Sequence, residues 1–364
     1  MPIRPLVTRY EDDLDRFPTR WHQIGLVLTI IVLLALPFTA SRYWLDVLNS
    51  TAIYVVGAVG LTILSGFTGQ ISLGHAGFLA VGAYTAAVFG NHIGMPFWMV
   101  IPMAGLLAAA VGLAAGPFAL RLRGLYLAII TIGLVFVVNH VLRSFAGLTG
   151  GVQGTSVPML WWFDKEGAAD FLGGYRAPTE LGAFTLEPDV KLYFLFVLLA
   201  VFTILCAANL RRSNSGRAMM AVRDHDLAAA VLGVNPARYK IIAFGISSFF
   251  AGIAGAMYGF KAAFITIDPP FNLNMSVEYI AIIVIGGAST VSGAVLGALF
   301  FGIVRPMAER AVGEIGMLEA LTSTQQSMLV LAVLVIGFML VEPRGLQGIW
   351  QRVRLYFASW PFKY

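Results

Sequence analysis

Charge is what this chain has least of: 12% of its 364 residues are Asp, Glu, Lys or Arg, against 58% hydrophobic residues. A water-soluble domain carries about twice that charged share. The chain is long enough to bury a large core but lacks the residues for a hydrated exterior, and its mean hydropathy of +0.81 points to lipid as the solvent. Cysteine is nearly absent too. The single Cys206 sits in an apolar run, which rules out an intrachain disulfide or a thiolate cluster and leaves the redox compartment open. Catalytic signatures are also missing. No glycine-rich loop closes on Lys followed by Ser or Thr, so the chain does not itself hydrolyse ATP, and no His-Glu-x-x-His run offers a zinc site. No nucleophile–base pair can be named, and no low-complexity segment or soluble domain is present.

What is present is a series of long apolar runs: 24–40, 47–65, 72–90, 97–120, 125–142, 192–210, 241–260, 277–304 and 327–341. In lipid each backbone group needs an internal hydrogen-bond partner, which continuous runs obtain only as helices; a barrel shows short alternating segments instead. The predicted fold class is all-α, a polytopic transmembrane helix bundle with about 9–10 hydrophobic segments, some discontinuous or re-entrant. The first run follows Arg4, Arg9, Arg16 and Arg20, interleaved with the acidic stretch 11–15. It is too long for a signal-peptide core and no small-residue cleavage site follows, so it reads as a retained span.

The net charge is +5, but the cations lie between apolar runs rather than in one patch. That excludes nucleic acid as a partner and fits a bilayer, where Lys and Arg mark the cytoplasmic side. The N-terminus is expected inside, and the turn Arg121-Leu122-Arg123 then also falls inside. The stretch 146–189 falls outside, with Asp164, Glu166, Asp170, Glu180, Glu187 and Asp189 against Lys165 and Arg176. The loop 211–240 falls inside, carrying Arg211, Arg212, Arg217, Arg223, Arg238 and Lys240. The long run 277–304 disturbs this count. Read as one tilted helix, it sends Arg344, Arg352, Arg354 and Lys363 outside. Read as two half-helices or a tight hairpin, broken near 286–293, it returns them inside, and the charge rule favours this second reading. The resulting domain plan is a cytoplasmic segment 1–22, a membrane domain 23–344 (external loop 146–189, cytoplasmic loop 211–240) and a basic cytoplasmic tail 345–364.

Two glycine-interrupted segments, 66–77 and 286–297, suggest weak internal symmetry. Paired interrupted helices are a pointer to a solute path, although glycine also serves close helix packing. The path candidates are Gly69, Gln70, Ser72, Gly74, His75 and Gly77 with Gly286, Gly287, Ser289, Thr290 and Gly293. Bulky substitution there, as in Gly74→Leu, is expected to abolish passage without loss of insertion. His75 has no acidic partner nearby in sequence, which argues for a packed residue rather than a proton relay. Asp46, Asp268 and Glu278 all fall near predicted span ends, so the chain lacks the deep acids of a proton-coupled pump.

The loop 211–240 specifies a short helix. Asp224 or Asp226 can cap the good helix-forming run 227–232, Gly233 suits the left-handed position that ends it, and Pro236 follows. Such a helix is either a membrane-surface element or a lever gripped by a soluble partner.

The order Ala-Val-Arg-Asp-x-Asp-x-Ala-Ala-x-x-x-Gly over 221–233 resembles the cytoplasmic coupling motif of ABC importer permeases, closest to the branched-chain amino acid permease family. Segments 69–84, 122–128, 148–154 and 286–298 are similar to the same family in order along the chain. The resemblance implies a homologous permease subunit, two ABC ATPase subunits on the inside face and an extracytoplasmic solute-binding protein. It also implies a bacterial inner-membrane location and no cofactor beyond the ATP held by the partners. By the same likeness Arg223, Asp224, Asp226, Ala228, Ala229 and Gly233 fall at the coupling site, with Asp226 where Glu is commoner. The family also carries urea and amides, so the solute stays open, as does a stand-alone carrier or channel.

Overall fold

The computed structural model describes residues 20–120, 124–160, 179–181, 184–313, 323–342 and 345–359. Arg4, Arg9, Arg16, the turn 121–123, the charged residues Asp164, Lys165, Glu166, Asp170 and Arg176, and Arg344 and Lys363 lie outside the described residues.

Helices account for almost all of it. α1 (Arg20–Thr39), α2 (Arg42–Thr68), α3 (His75–Val88, prolonged by a π turn Phe89–Ile93), α4 (Phe97–Leu120), α5 (Leu125–Ser144) and the single turn α6 (Ala146–Thr149) form the first part. α7 (Pro188–Arg212), α8 (Asn214–Asp224), α9 (Asp226–Val231), α10 (Pro236–Ala262), α11 (Leu273–Gly286), α12 (Val291–Gly313), α13 (Ser323–Val341) and α14 (Gly345–Ser359) form the second. Two small antiparallel ribbons join loops: β1 (Thr155–Ser156) with β4 (Phe264–Ile265), and β2 (Thr179–Leu181) with β3 (Phe184–Leu186). Among the described residues six helices, α2, α4, α5, α7, α10 and α12, are long and apolar enough to cross a membrane. This is a multi-pass membrane protein.

α2 and α10 occupy the centre. Val56, Val59 and Ile63 of α2 and Phe244, Ala251 and Ala254 of α10 are buried, and α3 and α4 close over α10. Small residues set the spacing. A Cβ at Gly60 would lie 2.9 Å from the Phe250 Cβ, and one at Gly252 would lie 2.5 Å from the Ala104 carbonyl oxygen. Without a hydrophobic drive between helices in lipid, such backbone approach is the main source of packing energy. The outward faces are apolar instead of charged: Leu28, Phe38, Phe136 and Leu198 are all exposed.

The run 277–304 is broken at 287–290, where Gly287 takes φ +112°. Beyond the break the chain reverses: Gly286 packs on Gly293 and Gly297 on Ile282, an antiparallel pairing of α11 with α12. The hairpin reading holds and the single tilted helix does not. Thr290 Oγ1 accepts from the Gly293 N–H at 3.1 Å, satisfying an otherwise orphaned donor at the start of α12.

The expected span 72–90 also differs in detail. Residues 69–74 are not helical, and helix begins only at His75. The ring of His75 and Gly57 both lie against Tyr279, and Gly57 is well short of the end of α2 at Thr68, so α3 starts inside the bundle. The segment 266–272 after α10 does the same from the other end and delivers α11. The segments 66–77 and 286–297 are not a matching pair of interrupted helices: the first ends α2 and starts α3, and the second is the hairpin of α11 and α12. The two glycine segments instead meet in space, for a Cβ on Gly66 would collide with the Ala288 carbonyl.

Candidate functional site

Non-helical backbone at membrane depth is tolerated only where it is buried in protein or lines a cavity. Here side chains of the run 69–74 itself and of two other helices supply the acceptors. Leu73 N–H donates to Thr131 Oγ1 of α5 at 2.9 Å, Gly74 N–H to Ser72 Oγ at 3.3 Å, and Ala76 N–H to Ser276 Oγ of α11 at 2.9 Å. The interior starts of α3 and α11 are thereby joined. The His75 ring stands edge-on to Tyr279 at 5.0 Å, and both side chains are buried.

The eleven path candidates fall into three settings. Gln70, Ser72 and His75 are buried polar residues of the non-helical run and its junction with α3. Gly74, Gly77, Gly286 and Gly293 sit at close approaches: Gly74 to the Thr131 carbonyl, with a Cβ distance of 2.6 Å, Gly77 to Val135 at 3.4 Å, and Gly286 and Gly293 to one another. Gly69 ends α2 at φ +70°, Gly287 and Thr290 form the hairpin turn, and Ser289 at its tip is exposed. Because a side chain at Gly74 meets backbone, Gly74→Leu disturbs packing whether or not a path runs there.

The same end of the bundle carries the predicted short helix. α8 ends at Asp224, the chain kinks at His225 (φ −154°), and α9 begins at Asp226. Neither aspartate holds the N-cap position; His225 does. Asp226 falls one residue later, in the first turn, where a negative charge meets the positive end of the helix dipole, and it pairs with Lys240 at 3.7 Å. The other end follows expectation. Gly233 adopts φ +85°, its N–H donates to the Ala230 carbonyl at 3.0 Å, and the Val234 N–H reaches the Ala229 carbonyl at 3.0 Å. This is the paired-bond helix stop that a left-handed glycine permits. Asn235 then caps α10, accepting from the Arg238 N–H at 3.2 Å.

Arg223 fastens this corner to the membrane helices. Its Nη1 donates to the Gly66 carbonyl at 2.7 Å and its Nε to Asp224 at 2.9 Å. Ala229 is buried beneath α9, and Ala228 faces outward. Within 227–232, which sequence marks only as helix body, Leu227, Val231 and Leu232 are 73%, 88% and 83% exposed. Leu227 and Val231, four residues apart, share one side of the helix, and Leu232 follows as its C-cap.

At the opposite end lies a cavity of about 680 Å³ between α2, the end of α10, α11, α12 and α13. Its polar wall includes Ser50, Lys261, Asn272, Asn274, Glu278 and Arg305. Glu278 is not at a span end as expected. It belongs to α11 next to Tyr279, inside the bundle, and pairs with Arg305 of α12 at 2.8 Å. Lys261 pairs with Asp46 at 2.8 Å and donates to Ser50 Oγ at 2.7 Å. None of the path candidates lines this cavity.

Interrupted helices meeting inside an apolar bundle, with a polar cavity at one end and a fastened surface helix at the other, are the architecture of a membrane permease. Comparison with known proteins gives the family. Residues 43–341 match the family described as branched-chain amino acid transport system / permease component, and the chain belongs to it. It is 33% identical over 330 residues to the high-affinity branched-chain amino acid transport system permease protein LivM of Escherichia coli, covering 89% of this chain and 75% of that one. The permease protein LivH of the same organism is 24% identical over 307 residues, covering 81% and 91%. The autoinducer 2 import system permease protein LsrC of Escherichia coli is 25% identical over 288 residues, covering 77% of each chain. No solved structure matches the chain.

Proposed function

We propose that this chain is the permease subunit of an ATP-driven ABC importer in a bacterial inner membrane, with its N-terminus cytoplasmic. It pairs with a homologous permease to form the passage for branched-chain amino acids or a related small polar solute. An extracytoplasmic binding protein delivers the solute, and two ATPase subunits, which hold the ATP, dock on α9. The chain itself needs no cofactor. The names of its relatives favour the solute class.

One observation carries the reading: α9 presents Leu227, Val231 and Leu232 to the outside while Arg223 ties its base to the end of α2. Apolar side chains exposed at this density mark a protein contact, and the tie supplies a route for force from that contact into the bundle. Replacing Leu227 and Val231 together by Glu should release the ATPase subunits on purification and cut uptake at least tenfold, with insertion unchanged. Full ATPase retention with normal uptake overturns the docking assignment. Uptake that persists after deletion of the ATPase subunits favours a stand-alone carrier.

A further inference from the structure

We propose that the cavity between α2, the end of α10, α11, α12 and α13 binds a zwitterion, an ammonium and an acid oxyanion on a small apolar body. The transport role of this site rests on the permease reading above; the binding does not.

The charges around the cavity come in compensated pairs. Glu278 and Arg305 are 2.8 Å apart with side chains only 20% and 19% exposed, and Lys261 stands 2.8 Å from Asp46. A ligand of one sign would have to draw away one member of a pair and strand the other, which costs several kcal/mol in a buried setting. A zwitterion avoids this. Its oxyanion turns to Arg305 or Lys261 while its ammonium turns to Glu278, and Asp46 keeps Lys261 company from outside the cavity. The start of α11 adds to the oxyanion side. Asn272, its cap, and Asn274 line the cavity, and the positive end of a helix dipole inside a bundle favours negative charge.

The remaining wall suits an apolar body, with Ile53, Met275, Val335 and Ile336 among its residues. The volume of about 680 Å³ lies within the roughly 300–1,000 Å³ of small-molecule pockets. Ser50 and Lys261 place the site in the first half of α2 and the last turn of α10, remote from α9. A solute arriving from the side opposite the ATPase subunits would meet it first. The same chemistry describes a free aliphatic amino acid and the head group of phosphatidylethanolamine.

The test uses the full chain in nanodiscs of phosphatidylglycerol, with tritiated L-leucine as probe. Saturable binding at one site per chain is expected, with 4-methylpentanoate and isopentylamine, each bearing one charge, competing at least tenfold more weakly than leucine. Arg305→Gln and Glu278→Gln should each weaken binding tenfold or more. Asn274→Leu, which leaves both ion pairs in place, should weaken it as well and guards against a folding defect in the charge variants. Displacement of leucine by phosphatidylethanolamine supports the site and assigns it a lipid occupant; leucine binding indifferent to that lipid supports it with a solute occupant. Absence of saturable binding, a single-charge analogue binding as tightly as leucine, or wild-type affinity in all three variants overturns the proposal. Intact leucine binding in an assembled complex that shows no ATP-driven uptake would sink the permease reading and leave this one standing.

Discussion

Arg223 holds two parts of the chain that are far apart in sequence. One guanidinium reaches the Gly66 carbonyl at 2.7 Å and Asp224 at 2.9 Å, and its planar fork makes both bonds at once. A lysine ammonium at the end of a flexible stem does not reproduce this geometry. Hydrogen bonds to charged groups contribute about 1.5–3 kcal/mol when well buried. Arg223 is 30% exposed, so Arg223→Lys should cost about 1 kcal/mol, read as a thermal midpoint a few degrees lower in detergent. Uptake should fall further than that loss of stability explains. Arg223 itself was legible, as the residue before the short helix, but its bond to Gly66 was not, because one sequence carries no record of which distant residues touch. The same limit hid the Glu278–Arg305 pair. Glu278 looked like a span-end residue only because the run 277–304 was counted from its first apolar position.

At the scale of elements the hairpin α11–α12 gives the sharpest contrast. Gly286 lies against Gly293, where a methyl group would press into backbone that cannot yield, and Gly133 of α5 has nothing within 4 Å of its Cβ position. Gly286→Ala should destabilise the fold by several kcal/mol, as overpacked substitutions do, and show as aggregation in size-exclusion chromatography. Gly133→Ala should stay within about 1 kcal/mol of the parent. Equal behaviour of the two variants would refute the close packing. The excess length of 277–304 and its central glycines were visible beforehand, and so was the end of α9, because Gly233 is a local device whose effect does not depend on tertiary contacts. The interior starts of α3 and α11 were not. Apolar composition continues through 72–90 without a signal that helix is delayed to His75, since the acceptors that satisfy the non-helical run come from Thr131 and Ser276.

For the whole molecule, the contacts fix which ends lie together. Gly345 at the start of α14 packs on residues 285–287, the hairpin turn packs on Gly66, and Gly66 accepts from Arg223. α14 and α9 therefore share one face, with the single turn 151–153 at the other. In a Cys206→Ser background, Gln351→Cys and Ser215→Cys should react with a membrane-impermeant maleimide from the same side, and Val152→Cys from the opposite one. Reaction of Gln351→Cys together with Val152→Cys would rule out the hairpin topology. Membrane residence and the bundle class were plain from composition and run length, and the charge rule anticipated this arrangement of faces.

The non-helical run ahead of α3 has one more consequence. Its donors are held by side chains on two different helices, α5 through Thr131 and α11 through Ser276. Sliding α5 past α11 would orphan the Leu73 or the Ala76 amide, at about 1–3 kcal/mol each. Helices α3, α5 and α11 are thus riveted into one stiff block. Any motion in a working cycle is then expected at the seams around that block, which moves as a piece.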